Sequence, residues 1–296
     1  MSPFLRRVGL AVALAVASSL GAAAADASAS PVTSGRNNWS CKPSAAHPHP
    51  VVVLHGFLGN ADNDLGGSLG VALKNNGYCE FDLTYGQPVS WIPVGGITDV
   101  GASARKIAAF IDRVLAETGA AKVGIVGHSE GGMLSSYIPK MLPGMKEKIS
   151  TVVGIAAGNH GTSFGGAVYL ADWANVRPQV DFVLKAFGCK ACTQLITSAP
   201  MVRALNTGPI AQPGIRYTMI ASRNDNLVTP HDTATTKETA FIREPGVANF
   251  YVQDVCPKSV VGHIAMAWDP SVIRLALNAF DPANAVPVRC DYTIPF

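Results

Sequence analysis

Apolar and polar positions along this chain alternate between two periods. Val51-Val52-Val53-Leu54 is a short β-branched run that stops at His55-Gly56, as a strand buried on both faces would. A helical stretch then closes near Asn76-Gly77, residues suited to a helix C-cap, and 80–84 reads as a second strand. Over 98–118 apolar side chains recur at Val100, Ala104, Ile107, Ala108, Ile111, Val114 and Leu115, one face of a helix that Gly119 closes. A third strand is expected over 122–127, a helix from Glu130 to about Met141 before Pro143-Gly144, and a fourth strand over 151–156.

The pattern loosens over 158–214, where Gly161, Gly165-Gly166, Pro178, Pro200 and Pro213 punctuate short amphipathic pieces. Strands resume over 215–221 and 250–255. Asp269-Pro270 then sets an N-cap and a first-turn proline for a last helix running to about Phe280. Strands alternating with helices imply a doubly wound, mainly parallel α/β sheet with helices on both faces and one excursion after the fourth strand. A segment that long outside the alternation is more often functional than inert.

Composition changes the picture at the N-terminus. Of 296 residues 48% are hydrophobic and only 15% charged, enough for one large core. Arg6-Arg7, an apolar stretch over 8–20 and the small-residue run Gly21-Ala22-Ala23-Ala24-Ala25 follow the order of a secretory signal peptide, cut after Ala25 or alternatively after Ala29. The apolar stretch is shorter than the roughly 18 residues a spanning helix needs, so no stable membrane anchor is expected. The mature chain, 26–296, is then a single catalytic domain in an extracellular setting. Loss of Arg6 and Arg7 lowers the formal charge from +3 to +1, and no basic block or stripe remains to attract nucleic acid.

Six cysteines, all beyond residue 40, favour disulfides in an exported chain, and sequence order pairs Cys41–Cys79, Cys189–Cys192 and Cys256–Cys290. The Cys189-Lys190-Ala191-Cys192 spacing has a rival redox reading, without the strand-to-helix setting such a site needs. No second Cys or His pair stands at ligand spacing, so no metal site is expected.

The chemistry centres on Gly127-His128-Ser129-Glu130-Gly131, which lies between a predicted strand and a predicted helix. A serine hydroxyl is a poor nucleophile unless a base held by a third group takes its proton. In such folds the partners follow in the order Ser, acid, His. His263, in Val261-Gly262-His263-Ile264, is favoured as the base over His231, and Asp225 as the acid over Asp254; Asp232 reads as a helix cap. Backbone N–H groups of Phe57 and Glu130 are the expected oxyanion donors. His55 and His128 read as locally bonded histidines, and His160 as a turn residue beside the pocket. The mechanism requires no cofactor.

Taken together, His55-Gly56-Phe57-Leu58-Gly59-Asn60, Tyr85-Gly86, Ala102-Ser103-Ala104-Arg105, Gly127 through Met133, Asn159-His160-Gly161-Thr162, 223–230, and Asp254-Val255-Cys256-Pro257 leading to His263 resemble the actinobacterial secreted lipases of the class 2 type, within the α/β-hydrolase superfamily. The resemblance covers nearly the whole mature chain. It implies Ser129, Asp225 and His263 as the triad, with oxyanion donors at Phe57 and Glu130. The sequence departs at position 130, where that family often carries Gln. The expected activity is hydrolysis of triacylglycerols or other acyl esters through an acyl-enzyme, at an oil–water interface and as a monomer, with 158–214 lining the acyl pocket as a partial lid. A short-chain esterase or a polyester or cutin hydrolase would share the triad, and a binding module that has lost catalysis would lack one of its members.

Overall fold

The computed structural model describes residues 37–186 and 188–290; the expected signal peptide lies outside them. Six strands, β1 (Val51–Leu54), β2 (Glu80–Asp82), β3 (Val123–His128), β4 (Ile149–Ile155), β5 (Arg216–Ala221) and β6 (Val247–Tyr251), form one all-parallel sheet in the order β2-β1-β3-β4-β5-β6. The chain steps outward from β1 to β2 and then returns to the other side of β1 as β3. This reversal opens a crevice at the carboxyl ends of β1 and β3, where open α/β sheets bind their ligands.

Alternation within the strands explains why both faces are covered. Val52, Leu54, Ile125 and Val152 point to one face, and Val51, Val53, Val126 and Val153 to the other, and all are buried. Helices α2 (Val100–Thr118) and α3 (Glu130–Met141) close the first face with Ala104, Ile107, Ile111, Met133 and Ile138. The second face is closed by α1 (Leu69–Asn75), through Leu69 and Leu73, and by the C-terminal helix Pro270–Phe280, through Val272 and Leu275. Local chemistry sets the ends of these helices. The Asp99 carboxylate accepts the Ala102 N–H (2.8 Å) at the start of α2, and Asp269 caps the C-terminal helix on Ser271 N (2.9 Å), with Pro270 as its first residue.

Two strands depart from the expected pattern. The second ends at Asp82 instead of Thr84, and the last begins at Val247 and stops at Tyr251. The rest of the expected strand is a single helical turn, Val252–Val255, because the Asp254 carboxylate reaches back to the Tyr251 N–H (2.8 Å) and Cys256 N bonds Val252 O (2.8 Å). The excursion between β4 and β5 holds α4 (Ala167–Trp173), α5 (Arg177–Ala186), α6 (Ala191–Gln194) and α7 (Pro200–Leu205). With those four in place, the turn Val252–Val255 is α8 and the C-terminal helix α9.

Three disulfides join the pairs that sequence order suggested. Cys41–Cys79 ties the segment before β1 to the start of β2, Cys189–Cys192 staples the end of α5 to α6, and Cys256–Cys290 holds the C-terminal tail against α8. Cys189 follows a helix and Cys192 lies within the single turn α6, which is not the setting of a redox site.

Candidate active site

β3 delivers Ser129 into a tight turn before α3. Its backbone takes φ 54° and ψ −115°, a left-handed conformation costly for a residue with a Cβ, and its N–H is anchored on the Ile155 carbonyl (2.9 Å). The flanking glycines allow the turn. A Cβ on Gly127 would collide with the Gly131 backbone, and one on Gly131 would sit 2.5 Å from the His55 carbonyl oxygen. The side chain of Ser129 is thereby held clear of the sheet at the crevice, with the N-terminus of α3 behind it.

The loops after β5 and β6 bring two further side chains to this point. His263 Nε2 lies 2.9 Å from Ser129 Oγ, and its Nδ1 lies 2.7 Å from Asp225 Oδ2. The other Asp225 oxygen accepts the N–H groups of Leu227 and Val228, both at 2.9 Å, which fixes the carboxylate in place. Asp225 and His263 are each about 5% exposed. With Nδ1 donating to the carboxylate, Nε2 is left to accept the serine proton, and the carboxylate can stabilise the imidazolium that results. Among the described residues, no other acceptor takes the N–H of Phe57 or of Glu130.

The other candidates separate cleanly from this group. Asp254 is half-exposed and pairs with Arg223 (2.9 Å). His231 pairs with Glu238 (2.7 Å), whose hydrogen bond pushes its pKa up to about 9, and its Nε2 meets the backbone carbonyl of Asp225. Asp232 caps no helix; it accepts the Glu238 N–H (3.0 Å) and binds Arg243, because 231–240 holds no helix and is irregular. His160 bonds Asn206 and the Phe241 carbonyl (2.8 Å), away from the cavity wall.

His55 is a neutral structural histidine. Its Nδ1 faces the Gly56 carbonyl (2.8 Å) and so donates, while its Nε2 accepts the Tyr85 N–H (3.2 Å). Burial lowers its pKa, consistent with that tautomer.

A buried ion pair that the sequence did not disclose braces the whole constellation. Asp64 Oδ2 accepts the Gly56 N–H (2.6 Å) and lies 3.2 Å from His128 Nδ1, while Oδ1 takes the Leu65 N–H (2.7 Å). His128 Nε2 lies 3.0 Å from the His263 carbonyl oxygen. Both ring nitrogens of His128 therefore face acceptors, so the ring carries both protons as an imidazolium. Burial works against this charge, but the Asp64 carboxylate and the His263 carbonyl outweigh it and raise the His128 pKa. Asp64 is likewise penalised by burial, yet His128 and the Gly56 N–H hold it below the ordinary carboxylate value. One pair thus ties the loop after β1, the serine turn and the His263 loop together.

A cavity of about 470 Å³ opens beside Ser129. Phe57, Met133, Phe164, Leu195, Leu227 and Trp268 give it an apolar wall, and Gly158, Thr162, Phe164 and Leu195 come from the excursion. The chemistry available here is nucleophilic attack by a deprotonated serine on a carbonyl whose apolar substituent fills the cavity. Among the described residues no group of His, Cys, Asp and Glu is placed to hold a metal ion, and no helix is long and apolar enough to cross a membrane.

The chain is similar to several known proteins. Two curated relatives are triacylglycerol lipases. That of Burkholderia plantarii is 31% identical over 149 residues, 48% of this chain and 38% of the relative. That of Pseudarthrobacter phenanthrenivorans is 31% identical over 114 residues, 36% of this chain and 33% of the relative. The chain thus spans about two fifths or less of the length of these relatives. Among solved structures, Aspergillus fumigatus lipase B superposes with a TM-score of 0.59 at 17% identity, covering 84% of this chain and 57% of that one. Bacillus licheniformis lipase BlEst2 in its mature form superposes with 0.51 at 17% identity, covering 82% and 94%. At such identities the likeness is one of fold, that of the α/β hydrolases. The family model for lipase (class 2) matches residues 48–256, well over half of the sequence, and the chain belongs to that family.

Proposed function

We propose that the protein is a secreted serine carboxylic-ester hydrolase of the actinobacterial class 2 type, acting on acyl lipids and on triacylglycerols first. The observation that carries this reading is the unbroken chain from Asp225 through His263 to Ser129, with spacings of 2.7 and 2.9 Å, at the wall of an apolar cavity. Ser129 Oγ attacks the ester carbonyl while His263 Nε2 takes its proton, and Asp225 stabilises the imidazolium. The carbonyl oxygen, now anionic, receives the N–H groups of Phe57 and Glu130. His263 then protonates the leaving alcohol, and water, activated by the same imidazole, releases the acid from the Ser129 acyl-enzyme.

The apolar wall favours a fatty acyl chain over a small or charged acid. Tyr169, Leu170 and Trp173 of α4 and Phe182 of α5, all more than half exposed, support work at a lipid–water boundary. Export rests on the N-terminal segment 1–25 and accords with three disulfides.

Ser129→Ala is expected to lower ester hydrolysis by about 10⁴-fold or more with the circular dichroism spectrum unchanged. Retained turnover sinks the assignment. A chain-length series of p-nitrophenyl esters, with and without an emulsified phase, separates a lipase from a short-chain esterase. Covalent capture of Ser129 by an alkyl phosphonate separates an enzyme from a binding module.

A further inference from the structure

Glu130 is a buried titratable group that the mechanism leaves unused. Its backbone opens α3, but its side chain turns inward, 2% exposed, and among the described residues neither carboxyl oxygen has a hydrogen-bond partner. The carboxyl rests against Gly96: a Cβ built there would lie 2.5 Å from Glu130 Oε2 and 3.0 Å from the Cα of Phe57. The acid is thus a near neighbour of the backbone that carries the other oxyanion donor.

The titratable groups around it offer no counter-charge. Tyr85, from the segment after β2, spends its hydroxyl proton on the His55 carbonyl. His55, at the end of β1, is neutral by its hydrogen bonds. Asp64 and His128, across the turn, neutralise each other. An ionised carboxylate that is buried with no donor and no cation is the costliest state available to it, whereas the neutral acid costs far less.

We propose that Glu130 serves as a neutral carboxylic acid behind the oxyanion site, and that its ionisation sets the alkaline limit of ester hydrolysis. This rests on the reading of Ser129 as the nucleophile. In the neutral form the two N–H donors meet the developing oxyanion unopposed. Once ionised, Glu130 places a second negative charge close behind them, which weakens transition-state binding while leaving the Ser129–His263–Asp225 chain in place. Burial alone pushes the Glu130 pKa well above the ordinary carboxylate value, in keeping with this assignment. Glu130 is a positioning residue in this scheme: among the described residues its carboxyl oxygens hydrogen-bond to no group, Ser129 included, and it acts only through the field at the two backbone donors.

The sign of the linkage makes the idea testable without any substrate. A carboxyl whose folded pKa is raised costs the fold stability as pH climbs from the ordinary Glu value of 4.5 toward the folded value, because the unfolded chain releases the proton first. Glu130→Gln removes that cost. The expected result is a melting temperature above wild type, with a gap that widens from pH 4.5 upward, and unchanged phosphonate labelling of Ser129.

In kcat/KM profiles, wild type should fall on the alkaline side by tenfold or more, on the order set by a nearby unit charge. Glu130→Gln should hold its own kcat/KM plateau across the alkaline range where wild type declines. Infrared spectra of wild type at neutral pH should show a protonated carboxylic acid band that Glu130→Gln and Glu130→Met both lose. A flat stability gap with no such band overturns the neutral acid. An alkaline decline identical in Glu130→Gln overturns its role and points to His128 instead. Failure of phosphonate to label wild type strikes the nucleophile assignment and leaves the stability and infrared results standing.

Discussion

Helices α2 and α5 carry the same kind of apolar stripe, and the fold treats them in opposite ways. On α2, Ala104, Ile107, Ile111 and Val114 are sealed against the sheet with no exposure at all. On α5 no residue is buried, and the stripe of Val180 and Val183, continued by Val176 just before it, stands between 41 and 48% exposed. Links follow the same division. The frame is tied across long stretches of chain: Asp64 to His128, 64 residues apart; His128 to His263, 135 apart; Cys41 to Cys79, 38 apart. The outer part of the excursion is tied to itself, through Arg177 with Asp172 and Asp181 and through Cys189 with Cys192 only three residues on. A hydrophobic period therefore says that a face wants covering, not that the fold covers it. Here the site is built on the covered part and merely bordered by the other.

The sharpest way to break the frame is Asp64→Asn. It leaves the His128 imidazolium without its carboxylate and should cost about 3–5 kcal/mol, as removing one partner of a buried pair does. Urea unfolding across pH gives the check. Asp64 has a depressed pKa, so its contribution is present above the ordinary Asp value of 3.8 and lost as pH falls through the folded value. His128 has a raised one, so its contribution is complete below 6.5 and lost as pH rises through the folded value. The deficit of the variant should be greatest between those two pH values.

Next in size are the disulfides. Paired Ser substitutions at Cys41 and Cys79 should cost about 4 kcal/mol on the chain-entropy relation, and the same change at Cys189 and Cys192 only about 2 kcal/mol. Equal losses in calorimetry would mean the excursion is as cooperative as the frame. Smallest is the contrast between the helices themselves. Ile107→Val should lower unfolding stability by about 1 kcal/mol, whereas Phe182→Ser should stay within about 0.5 kcal/mol of wild type and reduce turnover only on emulsified lipid.

The same division explains what could be read from the sequence. Val123–His128, the serine turn and Glu130–Met141 were legible because the glycines, the strand run and the helix period agree over one short window. Asp225 and His263 were legible through chain order and their places after the last two strands. Asp64 was not: its partner lies 64 residues away and its loop carries no motif, so only the need of a buried His128 for an acceptor could have hinted at it. The run Val252–Val255 continues the strand before it in the sequence pattern, yet the one carboxylate at Asp254 decides for a helical turn. In the excursion, short helices broken by Gly and Pro leave too few periods to count.

The complete pairing of the cysteines has a practical side. All six are engaged in disulfides, so the native molecule offers nothing to a maleimide. Val183→Cys would therefore carry a single fluorophore on the open face of α5, bound at one known place without stripping any native thiol first. Its emission colour would report directly whether that face enters an oil droplet, resting only on the dye's own sensitivity to water.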